Sequence, residues 1–153
     1  MVQVKVTIPW KEASTVFDEM WDEDVTIAGV PDMLETMYTQ QEAHMHEYAK
    51  INPEAWLVPE FWGSLRSPAT QAAIRENAGY VVEELMEAVN LLKNKPWKQT
   101  NEPVDRDAFR EELADVWHFF LQLHIVAGID PIDIFQAYFK KSFKNDKRRE
   151  TGY

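Results

Sequence analysis

The stretch EELMEAVNLLKNKPWKQTNEPVDRDAFREELAD, Glu83 to Asp115, decides how the chain reads. Glu84 and Glu87 stand three residues apart, and so do Glu112 and Asp115. On a helix, positions i and i+3 share a face, so each pair projects to one side of its own predicted helix. A polar connection with a basic, aromatic tip, Lys-Asn-Lys-Pro-Trp-Lys at 93–98, joins the two. If the helices lie antiparallel, the pairs converge. Four gathered carboxylates repel one another unless cations lie among them, and an all-oxygen donor set suits magnesium or manganese. The plainer reading is a solvated acidic face, which is what charge runs usually are. Two features weigh against it. Both pairs lie beside apolar stripes rather than opposite them, and Asp115 runs into Trp117-His118-Phe119-Phe120, a segment too apolar for a free surface.

Outward from this stretch, helical spacing continues. The first of the two helices is predicted to start at about Ser67–Thr70, with Ser67 as cap and Pro68 in the first turn, and to run to Lys93. Its expected packing stripe is Val82, Leu85, Val89 and Leu92. The second is predicted from Val104 or Asp105 to Ala127, with Leu113, Val116, Phe120 and Leu123 as its stripe and Gly128 as its stop. Asp130-Pro131 opens a further helix, expected to fray into the basic tail 144–149. Upstream, a long helix is predicted from about Pro31, carrying Gln40, Gln41 and His44, until Asn52-Pro53 breaks it. Residues 2–8 and 25–30 read as short β-type runs, with a possible short helix over Ser14–Asp22 between them. The expectation is an all-α antiparallel bundle of about four helices over 31–153, preceded by an N-terminal extension, 1–30, with a small β-type ribbon.

The totals narrow the function. The 153 residues suit one domain with its own core. The absence of cysteine removes disulfides, zinc ribbons and thiol nucleophiles. A net charge of −10 argues against coating nucleic acid, but not against a nucleotide substrate, because bound metals invert a local field. No apolar run approaches a membrane span and no basic-then-apolar segment opens the chain, so a cytoplasmic protein is expected, in the host cytoplasm if a phage encodes it.

A di-iron carboxylate bundle needs two Glu-x-x-His motifs, and Asp115-x-x-His118 is the one near match. Against the acidic background, Lys141, Asn145 and Arg148 would share a helical face as a cationic stripe. Its uses would be phosphate contacts or balancing the carboxylates; a solvated basic terminus is the plainer alternative. The parts together suit phosphoryl transfer without a covalent nucleophile. With only five glycines and no phosphate-cradling loop, metals and cationic side chains would hold the phosphates.

These residues resemble the all-α nucleoside-triphosphate pyrophosphohydrolases, the superfamily of MazG and the dimeric dUTPases, and the dimeric dUTPases more closely. The resemblance rests on Glu84-Leu-Met-Glu87 with Trp97-Lys98 after it, on Glu112-Leu-Ala-Asp115 followed by His118-Phe119, and on Lys141, Asn145 and Arg148 leading to Gly152-Tyr153. Gln40-Gln41 is similar to the family's Gln-bearing opening helix. The resemblance implies that Glu84, Glu87, Glu112 and Asp115 bind two or three Mg²⁺ ions, with Mn²⁺ as a substitute. It further implies that Lys98, Lys141 and Arg148 contact phosphates, that Asn145 and Tyr153 touch sugar or phosphate, and that Gln40 or Gln41, His118 and Phe119 border the base. Glu84 or Glu87 would serve as the catalytic base. The implied reaction converts dUTP and water to dUMP and pyrophosphate. The same chemistry on dGTP, dCTP or a modified nucleotide is the alternative, and a non-catalytic helical interaction module is the rival from another class. No nucleic-acid or membrane partner is expected. A homo-oligomer is, dimer at least, because a bundle of this size leaves its site open on one side.

Overall fold

The computed structural model describes residues 32–54, 58–99 and 101–152. The β-type runs, the segment Ser14–Asp22, Trp56 and Tyr153 lie outside the described residues. The described residues form four helices and one short 3-10 turn, with no strand among them. They fall into two units, 32–44 with 129–152, and Met45–Gly128.

Helix α1, Met33–Ile51, starts where the Asp32 carboxylate accepts the Glu35 N–H and stops at Asn52-Pro53. The 3-10 turn Pro59–Phe61 leads to α2, Pro68–Asn90. The Ser67 hydroxyl accepts the Thr70 N–H and Pro68 occupies the first turn, both as expected of a helix start. Thr70, fully buried, donates its hydroxyl to the Phe61 carbonyl at 2.9 Å and ties α2 to the turn before it. Helix α3, Arg106–Ala127, begins where Asp105 accepts the N–H groups of Asp107 and Ala108. It ends on Gly128, whose φ of +69° is the left-handed conformation that closes a helix. There the Gly63 N–H donates to the Val126 carbonyl at 2.9 Å.

Tyr80 of α2 meets Phe119 of α3, and Glu84, one turn further along, meets Asp115 and Glu112, earlier in α3. The pairings therefore run in opposite directions, and α2 and α3 form an antiparallel hairpin. The face that packs is not the expected one. Val82, Leu85, Val89 and Leu92 are all exposed, whereas Thr70, Asn77 and Ala88 are buried and Glu84 is half-buried. Helical periodicity finds apolar faces but does not say which one meets a partner in the same chain. Here the small Ala88 lies on the side carrying Glu84, where a neighbouring backbone can come close. On α3, Leu113, Val116 and Leu123 are half-buried and Phe120 is exposed; the core lies later, at Leu121, Ile125, Val126 and Ala127.

Helix α4, Pro131–Thr151, is capped by Asp130, whose carboxylate accepts the Asp133 N–H at 2.8 Å. It does not fray at residue 144. The Arg149–Asp146 ion pair and the Thr151 hydroxyl, which donates to the Lys147 carbonyl, carry the helix through its last turns to Gly152.

Candidate functional site

Glu84, Glu112 and Asp115 each offer an oxygen, and the three oxygens lie within 4.8 Å of one another. One residue comes from α2 and two from α3, so the antiparallel hairpin creates the group. Glu87, one turn beyond Glu84, is exposed and outside this closest set, yet its charge acts on it. The Glu84 carboxyl is pushed above the usual carboxylate range first by desolvation, then by Glu87, Asp115 and Glu112. Glu112 is raised first by desolvation, then by Glu87, Asp115 and Glu111. Among the described residues, no lysine or arginine pairs with any of the four.

This is a donor set short of positive charge, and a divalent cation fits it. All donors are carboxylate oxygens, the ligands magnesium and manganese prefer. Opposite ligands of an octahedral magnesium ion stand about 4.2 Å apart. Oxygens already within 4.8 Å need little closure to share an ion.

Next to this group, the rings of Tyr80 and Phe119 meet at 4.9 Å. The Tyr80 hydroxyl donates to Glu76 at 3.1 Å, and that bond is the first cause of the raised Tyr80 hydroxyl. Phe119 was expected near a base; Tyr80 was not singled out, although it lies four residues before Glu84 and so on its face. His118 is exposed on α3. Lys98 lines a cavity of about 370 Å³ together with Val89, Asn90, Leu92, Lys93, Lys95 and Glu102, which reaches the side of α2 away from Glu84.

The remaining expected residues belong to the other unit. Gln40 is half-buried and Gln41 buried on α1. On α4, Lys141 and Arg148 are exposed and Asn145 is half-buried, and their spacing sets all three on one face of a continuous helix.

Among the described residues, fold and site thus define an all-helical arrangement with a carboxylate group suited to a hard divalent cation. Two phage proteins are similar to part of it. The chain is 33% identical over 70 residues to a dCTP pyrophosphatase of Enterobacteria phage LZ5, which covers 39% of this chain and 41% of that protein. It is 33% identical over 51 residues to a dCTP pyrophosphatase of Enterobacteria phage T4, covering 33% of this chain and 30% of that protein. The chain therefore matches about two fifths or less of the length of these curated relatives. No family model matches the chain, and no solved structure matches it. Among the described residues, no helix is long and apolar enough to cross a membrane.

Proposed function

We propose that this protein hydrolyses a pyrimidine deoxynucleoside triphosphate to the monophosphate and pyrophosphate. The observation that carries the reading is the close group Glu84, Glu112 and Asp115, short of positive charge and suited to a divalent ion. A phosphate chain is the kind of ligand such an ion recruits. The sequence resemblance and the name of both phage relatives, dCTP pyrophosphatase, lead to the same reaction class. They differ on the base, since the resemblance implies dUTP and the relatives are named for dCTP. Both are taken as candidates, with dGTP as the purine alternative.

Glu84, Glu87, Glu112 and Asp115 would hold Mg²⁺, or Mn²⁺ in its place. A bound ion supplies charge neutralisation and polarisation of phosphoryl oxygens. Glu84 or Glu87 takes the proton of the attacking water. Glu84 belongs to the closest set, so Glu87, adjacent but outside it, is the better placed of the two. Lys98, Lys141 and Arg148 contact phosphates, and Asn145 and Tyr153 touch sugar or phosphate. Phe119, now with Tyr80, borders the base, together with His118 and Gln40 or Gln41.

The test is a panel of the common deoxynucleoside triphosphates plus dUTP, each with Mg²⁺, with monophosphate and pyrophosphate quantified. Fastest turnover is expected on dUTP or dCTP, with both products in equal amounts. A dominant rate on dGTP would move the reading to purine house-cleaning. No turnover of any triphosphate would leave a non-catalytic helical module instead.

The exposed apolar stripe of α2 bears on assembly. Val82, Leu85, Met86 and Val89 stand in solvent on the side away from Glu84, and a second copy of the chain is the proposed cover. Sedimentation at micromolar concentration is expected to give a dimer or larger, and Leu85→Glu to shift it toward monomer. A monomer in the parent protein would remove this part of the reading.

A further inference from the structure

The faces of α2 and α3 that carry the acidic group continue past the aromatic pair. We infer that Asn77 and Gln122 form the base-selecting end of the site and hold the exocyclic amino group of a cytosine-type base. The inference rests on the proposed triphosphate hydrolysis and chooses between its two pyrimidines.

Three observations carry it. The first is position. Asn77 lies seven residues before Glu84 and Gln122 seven after Asp115, almost two turns in each case, so each shares a face with its carboxylate. Tyr80 meets Phe119, and Glu84 meets Asp115. One more turn in the same antiparallel register sets Asn77 opposite Gln122. The second is burial: the two carboxamides are 8% and 5% exposed. The third is the group each presents. Gln122 Oε1 is buried and has no hydrogen-bond partner. The Asn77 side-chain N–H donates to the Ala73 carbonyl at 2.9 Å, which orients its amide and leaves Oδ1 as an acceptor. A buried carbonyl oxygen without a donor lowers stability, so one kept beside an aromatic pair points to a ligand that brings the donor.

A cytosine-type base completes this pair of acceptors. Its 4-amino group carries two N–H donors, one for each oxygen. Uracil has a carbonyl oxygen at that position, which would face two other oxygens and leave all three unpaired. A site of buried acceptors rejects the analogue that lacks the donor more strongly than shape alone does. Along α2 the order is carboxylate, aromatic ring and carboxamide, about 10 Å from first to last at 1.5 Å per residue. That order follows a nucleotide from its phosphates through the ring of the base to the far edge. Tyr80 is 39% exposed and hydrogen-bonded to the exposed Glu76, so it is the side chain that swings to admit a base over Phe119.

The test is titration calorimetry of the full chain in Mg²⁺ with the α,β-imido analogues of dCTP and dUTP, which resist cleavage. The parent should bind the dCTP analogue at least about tenfold more tightly, from hydrogen bonds gained and unpaired oxygens avoided. Gln122→Met keeps the length of the side chain and removes the acceptor. It should narrow the preference to about threefold or less, and the ligand-free protein should melt no lower, because the unpaired oxygen is gone. Asn77→Leu should narrow the preference as well. Equal binding of the two analogues by the parent, tighter binding of the dUTP analogue, or a folded Gln122→Met variant that keeps the full preference overturns the inference. In the last case a lowered melting temperature would mark the pair as a structural polar layer. Triphosphate turnover without a base preference leaves the proposed hydrolysis standing and removes the inference. A preference between the analogues without turnover of any triphosphate does the reverse.

Discussion

Glu84→Gln is expected to abolish nucleotide turnover and to raise the melting temperature of the metal-free protein. The two effects have one cause. The Glu84 carboxylate shares a site with Glu112 and Asp115, with Glu87 a turn away, and no cation offsets them among the described residues. Removing one negative charge relieves repulsion that the folded chain bears when no ion is bound. It also replaces one of the three converging carboxylates by a neutral amide, a weaker ligand, and so removes several kcal/mol of charge stabilisation. At 1.36 kcal/mol per tenfold, activity should fall about a hundredfold or more. Asp115→Asn should act in the same way. Thermal melts with chelator, and again with millimolar Mg²⁺, check the stability half. Mg²⁺ should raise the melting point of the parent more than that of either variant. A variant that loses activity and melts lower in chelator would show that the carboxylate helps hold the fold together and would speak against an ion site.

Gly128→Ala is expected to be the most destabilising alanine substitution among the described glycines. At φ +69° an added Cβ is strained by about 1–2 kcal/mol. It would also stand 2.7 Å from the Gly63 Cα and 3.5 Å from the Gly63 nitrogen. Both are backbone atoms and cannot swing aside, so the Gly63 N–H bond to the Val126 carbonyl is forced open, at about 1 kcal/mol more. The sum is roughly 2–3 kcal/mol, or about 5–10 °C in a domain of this size. Two companion variants isolate the causes. Gly63→Ala brings its Cβ only to 3.7 Å from Gly128, so it meets the strain of φ +76° without the collision and should cost less. Gly79→Ala meets nothing within 4 Å in mid-helix and should stabilise by about 0.5–1 kcal/mol. Equal melting points for the Gly128 and Gly63 variants would refute the steric part of this account.

Much of the candidate site was legible because it is a matter of short spacing. Glu84-x-x-Glu87 and Glu112-x-x-Asp115 each occupy one helix face in any α-helix, and a single connection between the helices leaves antiparallel packing as the simple outcome. Ser67 announced a helix start through cap chemistry that depends on the next three residues alone, and Asp105 and Asp130, near the other expected starts, cap their helices in the same way. What failed was the assignment of faces. The stripe Val82, Leu85, Val89 and Leu92 is the more apolar side of α2, and it lies outward. Ala88 and Glu84 lie inward, an arrangement set by α3 and not by α2's own pattern. The basic tip at 93–98 was visible as composition, but only Lys98 was singled out. The Asn94–Glu102 clamp that closes this loop joins residues eight apart, which no periodicity encodes. The tail was misjudged because its charge suggested fraying, whereas ion pairs one turn apart support a basic helix.

The hairpin origin of the acidic group has a kinetic consequence. Every oxygen in it comes from α2 or α3, two successive helices joined by one connection, Leu91 to Asp105. Closing so local a loop is entropically cheap, and structures rich in local contacts form quickly. The acidic group can therefore assemble as soon as these two helices pair. An ion captured at that moment would act as a clasp on the nascent hairpin, so that refolding speeds up as magnesium is added.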